Sequence, residues 1–68
     1  MTLLKFLQLK NKTQIEFASK IGVTLQSVYN YCHGHRTPKP EIMRKIFSAT
    51  NGMVTANDFH DIKLNIKN

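Results

Sequence analysis

Residues Thr13 to Gly34 read TQIEFASKIGVTLQSVYNYCHG, two short helices joined by a tight glycine turn. Thr13, Gln14, Ile15 and Glu16 have the form of a capping box: the threonine side chain takes the third backbone N–H and the glutamate returns to the threonine N–H. Phe17, Ala18 and Ile21 then fall on one face at helical spacing. Gly22 follows at once, where a helix can end in a left-handed turn without a Cβ penalty. Thr24 is placed to cap the next helix, which runs from about Leu25 to His33 and is closed by Gly34. Within it Gln26, Ser27 and Asn30 share one side, and Val28 and Tyr31 lie opposite.

The pattern extends both ways from this pair. Upstream, Leu3, Leu4, Phe6 and Leu7 form the apolar face of a helix from Thr2 or Leu3 to about Lys10, and Asn11-Lys12 connects it to the second. Downstream, Pro38 imposes extended backbone before it. Pro40 suits the first turn of a fourth helix, and Glu41 favours the positive end of its dipole. That helix carries Ile42, Ile46 and Ala49 as its inner stripe, flanked by Met43 and Phe47, and stops at Asn51-Gly52. Thr55 to Asp58 resembles a second capping box and starts a short fifth helix ending near Phe59 or His60. The fold class is therefore all-α, with five helices in one domain, residues 1–60. Residues 61–68 form a tail in which Ile62, Leu64 and Ile66 alternate with Lys63, Asn65 and Lys67, a period that fits a half-buried strand. Nothing else in the chain reads as its partner strand.

Sixty-eight residues leave room for a single core, and a chain this small is marginal as a monomer. One cysteine excludes an intramolecular disulfide framework. The first residues, MTLLKFLQLK, contain neither a long apolar run nor a small-residue cleavage site, so a signal peptide or membrane span is not expected. The expected setting is cytoplasmic. Ten Lys and Arg against four Asp and Glu give a net charge of +6, which attracts polyanions, nucleic acid first and acidic membrane second. Scattered lysines also serve solubility, so charge alone is weak evidence. Cys32, His33 and His35 lack the paired four-ligand grouping of a zinc site, His60 being distant. No nucleophile sits beside a base and no glycine-rich phosphate cradle occurs, so neither enzyme activity nor a cofactor or small-molecule substrate is expected.

Over roughly Leu7 to Phe59 the chain resembles the Cro/repressor-type (Xre-like) helix-turn-helix family of phage and bacterial regulators. The helix pair matches its pattern of Thr-Gln, Ala, Gly, then Gln-Ser and an apolar residue. GHRTPKPEIMRKIFSATNGMVTANDF is similar to a short, Cro-like subgroup, with a basic residue and proline before helix four and a Thr-x-Gly-x-Val-Thr run after it. The resemblance implies a sequence-specific DNA-binding transcriptional regulator, most simply a repressor. Gln26, Ser27 and Asn30 would then read bases in the major groove, and Leu25, polar in close relatives, would make an apolar contact such as one to a thymine methyl. Gln14 would bond a phosphate or brace the recognition helix. Thr24, Arg36, Lys39 and Lys12 are the remaining phosphate candidates, and Lys39 replaces the small hydroxyl cap usual before Pro40.

One recognition helix contacts only a few base pairs, so a homodimer on a pseudo-palindromic site is expected. Ile62, Leu64 and Ile66 are its candidate contacts, by strand addition between copies. A disordered tail, or contact through helices four and five, is the alternative. Two other functions compete: an antitoxin-like autoregulator with a protein partner, and a protein-interaction module that has lost DNA binding. Basic charge and an uncharged amide face between cationic flanks argue against the second.

Overall fold

The computed structural model describes residues 1–59; the tail and its expected strand lie outside the described residues. Four helices, α1 (Leu3–Leu9), α2 (Gln14–Ile21), α3 (Leu25–Cys32) and α4 (Pro40–Ala49), are followed by a fifth helical turn, α5, at 56–59. Among the described residues there is no strand, and the fold is the expected all-α one. The helices match the sequence reading to within a residue at each end. Lys10 and His33, read as last helical residues, are instead the C-caps of α1 and α3; α4 ends at its C-cap Thr50, just before Asn51-Gly52, and α2 runs to Ile21, directly before Gly22.

All four helices stop in the same way. A left-handed residue follows each last turn: Asn11 (φ 56°), Gly22 (φ 75°), Gly34 (φ 72°) and Asn51 (φ 53°). The next N–H then reaches back five residues, from Lys12 to Leu7, Val23 to Ala18, His35 to Asn30 and Gly52 to Phe47, at 2.8–3.0 Å. These bonds satisfy carbonyls that a helix end leaves open. At the other ends, Thr2, Thr13 and Thr24 each accept the N–H three residues on, and Thr13 with Glu16 completes the reciprocal box. Lys39, as its side chain dictates, caps nothing, and Pro40 starts α4 alone.

α2 packs chiefly on α3, α4 on α2 and α1 on α3. Leu3, Phe6 and Leu7 of α1, Phe17, Ala18 and Ile21 of α2, Val28, Tyr31 and Cys32 of α3, Ile46 of α4, and Val54 and Phe59 beyond form one buried cluster. Phe6 meets Phe17 edge-on at 6.4 Å and Tyr31 meets Phe59 edge-on at 6.5 Å. Thr50 is fully buried and had no role in the sequence reading. Its hydroxyl donates to the Ile46 carbonyl at 2.8 Å and accepts the Val54 N–H at 3.2 Å. One side chain thus ties the end of α4 to the turn that brings Val54 inside.

The Thr55–Asp58 box forms by half. Asp58 Oδ2 accepts the Thr55 N–H at 2.7 Å and the Thr55 hydroxyl at 3.2 Å, but Asp58 N–H turns to the Thr55 carbonyl. The same carboxylate oxygen takes the ammonium of Met1 at 3.1 Å, and that ammonium also donates to the Met53 carbonyl at 2.9 Å. Partial burial works to raise the Asp58 pKa; hydrogen bonds from Thr55 and the charge of the terminal ammonium outweigh it and hold the carboxyl below the ordinary 3.8. Glu16 is lowered from the ordinary 4.5, first by the Thr13 N–H, then by the Thr13 hydroxyl and Lys12.

Two outcomes follow. Gly22 has open space where a Cβ would sit, so Gly22→Ala meets backbone strain alone. It should destabilise by about 1–2 kcal/mol, read by urea unfolding; an unchanged midpoint contradicts the left-handed turn. For Glu16 and Asp58 the unfolded chain binds more protons than the folded one at pH values between the lowered and ordinary pKa. Their stabilisation is present above the ordinary values and is lost as pH falls through the lowered ones. The melting temperature should therefore hold down to roughly pH 5 and then fall, and Glu16→Gln with Asp58→Asn should flatten that fall.

Candidate nucleic-acid interface

Successive residues of α3 rotate by about 100°. That rotation puts Val28, Tyr31 and Cys32 on one arc, and the core covers all three, leaving at most 5% of each exposed. Burial pushes the Cys32 thiol up to about 11, which keeps it protonated and unreactive. The opposite arc carries Leu25, Gln26, Tyr29, Asn30 and His33, all exposed except Asn30, which is half-buried. The apolar arc thereby fixes which side chains α3 turns outward.

Within the outward arc the expected residues take different places. Gln26 Nε2 donates to Asn30 Oδ1 at 3.2 Å, so the two amides form one unit. Gln26 Oε1 and Asn30 Nδ2 are left as an acceptor and a donor for a further partner. Ser27 does not share that unit. Its hydroxyl accepts from the Thr24 hydroxyl at 2.9 Å, and its N–H donates to Thr24 Oγ1 at 3.1 Å. Ser27 and Thr24 thus close the N-terminus of α3, and Ser27 is half-buried. Leu25 stands outward on the first turn, 48% exposed.

Tyr29 was left outside the sequence-derived set, yet it occupies the middle of the outward arc. Counting 100° steps from Leu25 and Gln26 places it there, between Leu25 and His33. Its ring packs 4.3 Å from that of His33 and 6.2 Å from that of His35, a small aromatic surface at the C-terminal end of α3. The two histidines therefore stack on Tyr29 while Cys32 faces the core, and among the described residues no group of three or more His, Cys, Asp and Glu is placed to hold a metal.

The loop after α3 is pinned to that helix. The Asn30 carbonyl accepts the N–H of both His35 (2.9 Å) and Arg36 (3.3 Å), which sets Arg36 beside the end of α3. Arg36 and Lys39 are exposed, and Gln14 lies half-buried on the first turn of α2. Lys12 is grouped otherwise. With Lys10, Lys20 and Glu16 it surrounds a cavity of about 290 Å³ floored by Phe6, Phe17 and Ala49, into which no α3 residue enters. The cations thus divide into an α3 end, with Arg36 and Lys39, and an α1–α2–α4 face, with Lys10, Lys12 and Lys20.

Removing the cap tests the local geometry. Thr24→Ala should cost about 1 kcal/mol and free Ser27, read by denaturant midpoint; a neutral substitution contradicts the Thr24–Ser27 closure.

A helix-turn-helix family model matches residues 3–52. No curated protein matches the chain, and no solved structure does.

Proposed function

Since the chain belongs to the Cro/repressor-type helix-turn-helix family, and is thereby a DNA-binding transcription regulator in general terms, we propose that it is a Cro-like repressor. It works in the cytoplasm as a homodimer and occludes a promoter by laying α3 in the major groove of a pseudo-palindromic operator. The observation that carries this reading is the division of α3 into a fully anchored apolar arc and an outward arc with no charge on Leu25, Gln26, Tyr29 or Asn30. Such a helix offers side chains suited to base edges, while cations stand off its end at Arg36 and Lys39. Phosphate contacts position a protein on the duplex and base contacts specify the sequence.

The roles divide accordingly. The Gln26–Asn30 unit presents an acceptor and a donor side by side, which matches the N6/N7 edge of adenine. Leu25 supplies an apolar contact to a thymine methyl, and Ser27 keeps its hydroxyl proton available at the edge of the same face. Gln14, Thr24, Arg36, Lys39 and Lys12 serve the phosphates, with Lys12 reaching the backbone from the α2 side. Two recognition helices sit about 34 Å apart in such complexes, so a second copy is needed, and Ile62, Leu64 and Ile66 supply the pairing. Repression by occlusion is favoured because it asks nothing of the domain beyond binding DNA. An antitoxin-like autoregulator would use the same helix and differ in its protein partner.

Duplex binding measured against salt is the test. A dimer neutralising about 6–10 phosphates should lose roughly 10³–10⁵ in affinity between about 50 and 200 mM salt. Gln26→Ala or Asn30→Ala should cost about 1–3 kcal/mol and relax preference at one base pair per half-site, whereas Arg36→Ala should weaken all duplexes alike. Identical behaviour of the two classes on selected and random DNA refutes the division of roles.

A further inference from the structure

The cavity between α1, α2 and α4, which no α3 residue lines, has the makeup of a small-ligand site. At about 290 Å³ it lies just below the roughly 300–1,000 Å³ of clefts that take drug-sized molecules. Its floor is apolar: the core rings Phe6 and Phe17, which meet edge-on at 6.4 Å, and Ala49 on the last turn of α4. Its rim is cationic. Lys10, Lys12 and Lys20 are exposed and make no ion pair among the described residues. Backbone sets where the three stand. Lys10 N–H donates to the Phe6 carbonyl at 3.0 Å, Lys12 N–H donates to the Leu7 carbonyl at 2.9 Å after the left-handed Asn11, and Lys20 lies in the last turn of α2. Glu16 is the single carboxylate on the rim. Its Oε1 is taken by the Thr13 N–H at 2.8 Å and the Thr13 hydroxyl at 3.1 Å, so it is turned to the start of α2. Three lysines against one glutamate leave the rim positive.

We propose that this cavity binds a small aromatic acid, a flat apolar body of one or two rings carrying a carboxylate. The two parts of the site ask for the two parts of such a ligand. Rings cover Phe6, Phe17 and the methylene stems of the lysines, which line apolar surface while their ammonium groups stay in water. The carboxylate accepts charge-assisted hydrogen bonds from those ammonium groups at the rim. Neither part suffices alone. Attraction at an exposed rim is weak and screened by salt, so an inorganic anion, with nothing to lay on the floor, is held poorly. An uncharged ring leaves the cationic rim unused. A compact rigid body fits better than a flexible chain, because it has little conformational entropy to lose in a cavity of this size. The site goes beyond the duplex reading, and Lys12 is its one residue in common with the phosphate set proposed above.

The test uses the free full-length chain at low ionic strength and no DNA, so its outcome is independent of the reading of α3. Naphthoate is the probe, titrated into isotope-labelled protein; naphthamide supplies the same rings without the charge, and inorganic phosphate the charge without the rings. Naphthoate should bind with a Kd of about 1 mM or tighter, as ordinary ligand efficiency gives a molecule of its size. The amides of Lys10, Lys12, Glu16, Lys20 and Ala49 should shift, and those of Leu25, Gln26 and Asn30 should not. Naphthamide and phosphate should each bind roughly tenfold more weakly or worse. Ala49→Met fills the floor without changing charge and should abolish binding. Lys12→Gln with Lys20→Gln should weaken it roughly tenfold, and this pair, at exposed positions, decides the matter where Ala49→Met disturbs the fold. Naphthamide or phosphate binding as well as naphthoate, shifts centred on another face, full affinity in the lysine pair, or no binding up to about 10 mM overturns the proposal.

Discussion

The orientation of α3 rests on one packing arrangement: Val28, Tyr31 and Cys32 buried against the core that Phe17, Ala18 and Ile21 of α2 help to build, across the left-handed turn at Gly22. A helix of eight residues is too short to persist in water by itself. Its order comes from that buried arc, from the Thr24 cap and from the loop bonds to the Asn30 carbonyl. With those in place the outward arc is determined, since a helix with one face fixed has no freedom about its own axis. Loss of the turn would cost stability and also rotate the side chains offered to a partner.

The same economy runs through the domain. Four helix ends use one device, a left-handed Asn or Gly followed by a bond reaching five residues back, so short helices meet at angles set by local backbone instead of long packed interfaces. Thr50 extends this inward, a buried hydroxyl that joins α4 to the Val54 turn with its hydrogen bonds satisfied. Its participation makes the fully buried position polar without a net desolvation loss. The Met1 ammonium on Asp58 closes the chain start onto the last helical turn.

Most of this was legible in the residues. Capping boxes, the Gly22 and Asn51-Gly52 stops and the apolar stripes are local signals, and local signals placed every helix. What was not legible depends on side-chain choice among partners. Ser27 could face the solvent or its cap, and spacing alone does not choose; the nearby Thr24 hydroxyl does. The 100° rotation places Tyr29 outward, but an exposed tyrosine has no pattern of its own until its neighbours His33 and His35 stack on it. The Thr55 box forms by half because the Asp58 N–H goes to the Thr55 carbonyl while the Thr55 hydroxyl is turned to the Asp58 carboxylate.

The central claim is that the outward arc of α3 is the surface that meets duplex DNA. Titrating isotope-labelled full-length chain with a short duplex at low ionic strength, and following each amide resonance, addresses it most directly. The largest shifts should fall on Leu25, Gln26, Tyr29 and Asn30 and on Arg36 beside them, with the Met43 and Phe47 face unmoved. Shifts centred on any other face, or none at all, would contradict it.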